Sequence, residues 1–182
     1  NFLIGLALIL ILVVPVTGGE QDWYYKPGYP DYCNSGVPDF DQKQDGWQNL
    51  GARWTHCGPV ALANCFWWFD SKYDTSTTPP PDSIDTYSLI TAYGPWDDHD
   101  SLNVIPLVNS LAICMDTDTN GTNVLLMENC ISNWLSNAGL SNDYYESTYV
   151  KPTFKFIENQ VKSSQDVILL LGFYEINQDT TD

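Results

Sequence analysis

Cys57-Gly58-Pro59-Val60 is the stretch of this chain whose residue types and spacing could do chemistry. Pro59 suits the first turn of a helix, where a missing N–H costs nothing. Val60 to Phe69 holds no breaker and is apolar nearly all round, which predicts a helix buried on most faces and ended by Asp70-Ser71-Lys72. Cys57 then stands at the mouth of that helix, in the positive field of aligned peptide dipoles. Such a field favours thiolate, the nucleophilic form of cysteine. Gly58 leaves room for a carbonyl to approach the sulfur, and the orphan N–H groups of the first turn can hold an oxyanion. A cysteine kept for packing is the competing reading, because cysteine is among the most buried residue types.

A thiol nucleophile needs a base, and the chain has two histidines. His56 adjoins Cys57, and neighbours at a helix start usually point different ways. His99 lies among Asp97, Asp98 and Asp100, which could orient it; a solvated acidic turn is the alternative, since reach to Cys57 is what a base requires. Asp116 to Asn123 sets oxygen ligands on alternate residues around Gly121, as a calcium loop does, but Met127 occupies the place of the closing bidentate Glu. The preferred reading there is an Asx-rich turn that caps the next helix. No metal or cofactor is expected. Asn120-Gly121-Thr122 is a glycosylation sequon. Trp47 and Trp54 precede Cys57 and are candidates to line a groove.

The 182 residues suffice for one domain with a real core. Net charge is −16, and no Lys or Arg occurs between Lys72 and Lys151. That excludes a phosphate-binding groove, so nucleic acid is not an expected partner. Phe2 to Val16 is an apolar run followed by Thr17-Gly18-Gly19, which reads as a secretory signal or the remnant of a membrane anchor. Residues 1–19 are assigned to that segment and 20–182 to the domain, placed outside the cytoplasm with membrane attachment through the apolar run as an alternative. Disulfides are permitted there. The five cysteines are Cys33, Cys57, Cys65, Cys114 and Cys130. If Cys57 is the odd thiol, the other four can form two bridges in three ways.

The elements that must position Cys57 follow from pattern. Val37 to Gln42 reads as extended, and Asp82-Ser83 as the cap of a short helix through Ala92. Asn103 to Met115 predicts a helix with Pro106 in its first turn. Val124, Met127, Ile131, Trp134, Leu135 and Ala138 recur at helical spacing before a Gly139 stop. Tyr144 to Val150 predicts a strand, Phe154 to Ser163 a short helix, and Asp166 to Ile176 a strand covered on both faces. A buried strand so near the end implies pairing strands beyond Asp182.

Val37-Pro38-Asp39-Phe40-Asp41-Gln42, followed by Cys57-Gly58-Pro59-Val60-Ala61-Leu62-Ala63, resembles the opening of the papain-like cysteine peptidase superfamily, in the group related to bacteriocin-processing (double-glycine leader) peptidases. The resemblance covers residues 37 to 70 and, loosely, the last strand. It implies an α+β papain-like fold, with the cysteine on a central helix followed by an antiparallel β-sheet, C-terminally incomplete here. It implies Cys57 as nucleophile and Gln42 as the oxyanion glutamine, with Gln44 and Gln48 as alternatives. A catalytic His and its Asp/Asn orienter match no position and are expected beyond residue 182. The function implied is a secreted hydrolase of peptide or amide bonds acting through a thioester, with a peptide or protein as substrate. The alternative is an extracellular papain-like domain that binds without cleaving.

Overall fold

The computed structural model describes residues 3–13, 38–42, 54–73, 87–96, 98–163 and 165–174. The chain mixes helix and strand and divides into two compact units, one formed by Cys33–Tyr144 and the other by Asn1–Tyr32 with Tyr145–Asp182.

The Cys33–Tyr144 unit is helical. Helix α1 (Cys57–Tyr73) carries the apolar run and buries Val60, Leu62, Ala63, Phe66, Trp68 and Phe69. It extends past Asp70 to Tyr73, and Asp70 is fully buried rather than a polar end. A 3-10 turn (Ser101–Asn103), capped by the Asp100 carboxylate on the Leu102 N–H, leads into α2 (Val104–Cys114). Helix α3 (Val124–Asn137) starts where the Asn123 side chain accepts from Leu125 N–H and ends before Gly139, whose φ of 76° is the left-handed conformation that glycine tolerates. A Cys114–Cys130 disulfide joins the end of α2 to the middle of α3. Closing a loop of this length contributes about 3 kcal/mol. α1 packs on α2, and the Phe66 and Trp134 rings meet at 5.9 Å between α1 and α3.

The helix expected through Ala92 is not formed over its described part: residues 87–92 run as turns and irregular backbone. The backbone groups of this segment are satisfied from elsewhere. Ile90 N–H donates to Asp70 Oδ2 at 2.6 Å, and Leu89 O accepts from Trp134 Nε1 at 2.8 Å. These bonds let Leu89 and Ile90 enter the core without helical hydrogen bonds. The Tyr87 and Tyr144 hydroxyls bond each other, and burial pushes both phenols above their usual range, so both stay neutral.

The second unit holds β1 (Leu3–Val13), β2 (Tyr145–Val150), α4 (Phe154–Lys162) and β3 (Asp166–Tyr174). β1 runs antiparallel between the other two, from Leu8↔Val150 to Val13↔Tyr145 on one side and from Leu3↔Tyr174 to Leu12↔Asp166 on the other, with an irregularity between Gly5 and Leu8. Thr153 caps α4 on Phe156 N–H, and the Phe156 ring meets Tyr149 of β2 at 4.5 Å. Lys162 and Lys155 hold the Glu158 carboxyl below its ordinary range.

The apolar run assigned to a signal or anchor is thus extended over Leu3–Val13, and its strand partners lie at the other end of the chain. Among the described residues no helix is long and apolar enough to cross a membrane. β2 and β3 pair with β1 and not with each other. Deleting residues 1–19 therefore removes their common neighbour. The expected result is fast hydrogen exchange at 145–150 and 166–174 with the amides of α1 still protected, read by mass spectrometry on the full and truncated chains.

Candidate functional site

Cys57 is the first residue of α1, exposed, and a thiol rather than half of a bridge. The first intrahelical bond runs from Val60 N–H to His56 O at 3.0 Å, so the Cys57 and Gly58 amides precede the helical ladder. The first turn of α1 contains no acidic residue to offset the dipole. Exposure ends at Cys57: Gly58, Pro59 and Val60 are all buried.

Gly58 is buried by Thr122. A Cβ built on Gly58 would lie 2.8 Å from Thr122 Oγ1 and 2.9 Å from Thr122 Cβ. The Asp116–Asn123 turn therefore abuts the start of α1 next to the thiol. Its own bonds are those of a capping turn. Asp118 and Gly121 exchange two backbone hydrogen bonds at 3.1 Å, and Asp118 Oδ1 accepts from Asn120 N–H at 2.6 Å. Thr117 and Thr122 hydroxyls meet at 2.8 Å, and Asn123 caps α3. The sequon residue Asn120 is exposed on this turn.

Gln42 is half-buried, and its Oε1 is buried without a hydrogen-bond partner among the described residues. The extended Pro38–Gln42 stretch is tied to α1 by Asn64, which accepts from Phe40 N–H at 3.0 Å and donates to Phe40 O at 3.2 Å. The Phe40 ring stands edge-on to Trp67 at 5.2 Å. Asn64 lies two turns into α1, about 10 Å from Cys57 along the axis at 1.5 Å per residue. Gln44, Gln48, Cys33, Trp47 and Asp97 lie outside the described residues; Trp54 is half-buried three residues before Cys57.

Neither histidine is paired with the thiol. His56 Nδ1 meets Thr55 Oγ1 at 3.2 Å, and burial lowers the His56 pKa. His99 is not on a solvated turn. Its Nδ1 meets Asp98 Oδ1 at 2.7 Å, its Nε2 lies 3.8 Å from Asp70 Oδ1, and its ring meets Trp67 edge-on at 5.0 Å. Asp70 is thirteen residues along α1 from Cys57, about 20 Å by helical rise. That distance removes His99 as the base for Cys57 in this conformation. Of the bridges allowed among the other four cysteines, Cys114–Cys130 forms; Cys65 is buried on α1, and Cys33 lies outside the described residues.

Sequence reasoning missed the residues that order the His99 turn. Asn103, fully buried, donates from Nδ2 to Thr91 O (3.1 Å) and Asp98 O (2.7 Å). Its Oδ1 accepts from Tyr93 N–H (2.9 Å) and Trp96 Nε1 (2.7 Å). Asp70 is the second such residue. Both look like ordinary polar positions in the sequence; the faint signal is a lone polar side chain inside an apolar helical run. No protein-family model matches the chain, and neither a curated protein nor a solved structure matches it.

Proposed function

We propose that the chain is a papain-like thiol hydrolase of extracytoplasmic peptides or proteins, with Cys57 as its nucleophile. The observation that carries this reading is an exposed thiol on the first residue of a 17-residue helix, with its neighbour Gly58 buried and side-chain-free. In the proposed reaction the Cys57 sulfur attacks the substrate carbonyl carbon. The oxyanion is held by the amide at the helix start and by the Gln42 carboxamide. Collapse forms a thioester and releases the amine, which takes up a proton; water then attacks the thioester and restores the thiol. The histidine that serves as base is neither His56 nor His99 at its described position.

That last observation supports a second reading, an extracellular papain-like domain that binds peptides without cleaving them. The two readings share Cys57 exposure and differ in its reactivity. Treatment of the folded chain with iodoacetamide, followed by peptide mapping, tests the first. Hydrolase chemistry predicts rapid modification of Cys57 while Cys65 stays protected. Resistance of Cys57 in the folded chain, with ready labelling after denaturation, overturns it.

A further inference from the structure

Asn120-Gly121-Thr122 is the chain's single Asn-x-Ser/Thr triplet, and it lies in the Asp116–Asn123 turn of the Cys33–Tyr144 unit. We propose that Asn120 carries an N-linked oligosaccharide, and that this sugar stands beside the mouth of α1 and hinders large partners at Cys57.

The turn presents the acceptor as the modification requires. Asn120 is exposed, as are Asp118 and Thr119 before it, so a bulky group on its side chain displaces nothing from the core. The middle position holds Gly121 and not proline, with a φ of 96° that closes the turn. The co-substrate is a polyprenyl-diphosphate-linked oligosaccharide, brought by a membrane transferase. Asn120 Nδ2 attacks its anomeric carbon and the C–N bond forms. The bond from that carbon to the diphosphate oxygen breaks, the lipid diphosphate leaves with the electron pair, and one amide proton is released. The side-chain amide keeps its other proton. Asn120 Nδ2 donates once, to Asp118 Oδ2 at 3.3 Å, and the Asn120 backbone N–H donates to Asp118 Oδ1 at 2.6 Å. The turn therefore needs no more than the proton that is left.

A second observation comes from the same loop. The Cys114–Cys130 disulfide encloses the triplet, and disulfides form and persist in oxidising compartments. A sequon is an acceptor in chains that pass through such compartments. The inference thus rests on the extracytoplasmic placement proposed above, and not on Cys57 as a nucleophile. The position of the turn gives the sugar its effect. Thr122 meets the start of α1, since a Cβ on Gly58 would lie 2.8 Å from Thr122 Oγ1. From Thr122 back to Asn120 the chain spans at most about 7 Å, and an oligosaccharide is longer than that. Cys57 is exposed at this end of α1, whereas Gly58, Pro59 and Val60 are buried. Steric exclusion grows with the size of the partner, so the sugar favours short peptides over folded proteins at the thiol.

The test begins with the protein isolated from its natural source. Chymotrypsin is used, because no Lys or Arg lies between Lys72 and Lys151. Peptide N-glycosidase in heavy-oxygen water should convert Asn120 to labelled Asp. The same incubation without enzyme should not, which separates the sugar from spontaneous deamidation of Asn-Gly. Unglycosylated Asn120 in the isolated protein overturns the proposal. The second arm secretes the chain from a eukaryotic host behind an independent leader, so residues 1–19 play no part in the outcome. Asn120→Gln should lose the glycan mass, and Thr122→Ser should keep it. A polymer-bearing maleimide should label Cys57 several-fold more slowly in the glycosylated chain than in Asn120→Gln, and iodoacetamide should label both equally. Equal rates with the bulky reagent overturn the screening of the thiol. Resistance of Cys57 to iodoacetamide in Asn120→Gln contradicts the nucleophile reading instead, because occupancy of Asn120 is read from mass alone.

Discussion

Asn103→Ala lowers the stability of the Cys33–Tyr144 unit by about 4 kcal/mol, on the ordinary worth of about 1 kcal/mol for each hydrogen bond it deletes. The side chain uses its whole hydrogen-bonding capacity: two amide protons to Thr91 O and Asp98 O, two lone pairs to Tyr93 N–H and Trp96 Nε1. No rotamer of a shorter residue reproduces that set. The residue is fully buried, so water does not readily replace the lost partners. Asn103→Asp should also destabilise, because a carboxylate has no protons for the two carbonyls. Urea unfolding of the three proteins checks this. A loss under about 1 kcal/mol for Asn103→Ala would mean the turn is ordered by something else.

Gly58→Ala should cost about 1–3 kcal/mol, the usual range for overpacking. The conflict is with Thr122 Oγ1 at 2.8 Å and Thr122 Cβ at 2.9 Å. The Cβ of a β-branched residue cannot swing aside, and its hydroxyl is already bonded to Thr117. Either α1 or the Asp116–Asn123 turn must shift, and Cys57 moves with it. The same variant should therefore slow alkylation of Cys57. Thr122→Gly in the Gly58→Ala background should recover most of the lost stability beyond additivity, since it removes the opposing atoms. Failure of that rescue would place the cost outside this contact, since alanine is the better helix former of the two.

Most of the helices and strands were legible because each rests on local chemistry. Asn123, Thr153 and Gly139 mark helix ends by side-chain caps and a positive φ, and the periodicity of α3 survives intact. The Tyr145–Val150 and Asp166–Tyr174 strands follow from composition. The tertiary decisions were not legible. Asp70-Ser71-Lys72 reads as a polar stop until an amide twenty residues later needs a carboxylate. Residues 87–92 have helix-compatible side chains, and the bonds to Asp70 and Trp134 draw the backbone into another path. An apolar run such as Leu3–Val13 fits a strand or a targeting segment equally well, because periodicity does not separate them. For the site, the sequence placed Cys57 at a helix start, and the structure has it there. The Thr122 wall against Gly58, the tie from Asn64 to Phe40 and the removal of His99 to the far part of α1 depend on contacts that no spacing rule encodes.

The claim on which the rest depends is that Cys57 is a carbon-attacking nucleophile. Incubating the folded chain with an activated peptide ester and measuring intact mass asks this directly, because acylation from a good leaving group does not require a protein acid. One acyl adduct is expected, mapped to Cys57, released by hydroxylamine and absent from Cys57→Ala. An unmodified Cys57, in a chain whose fold is intact, would contradict it.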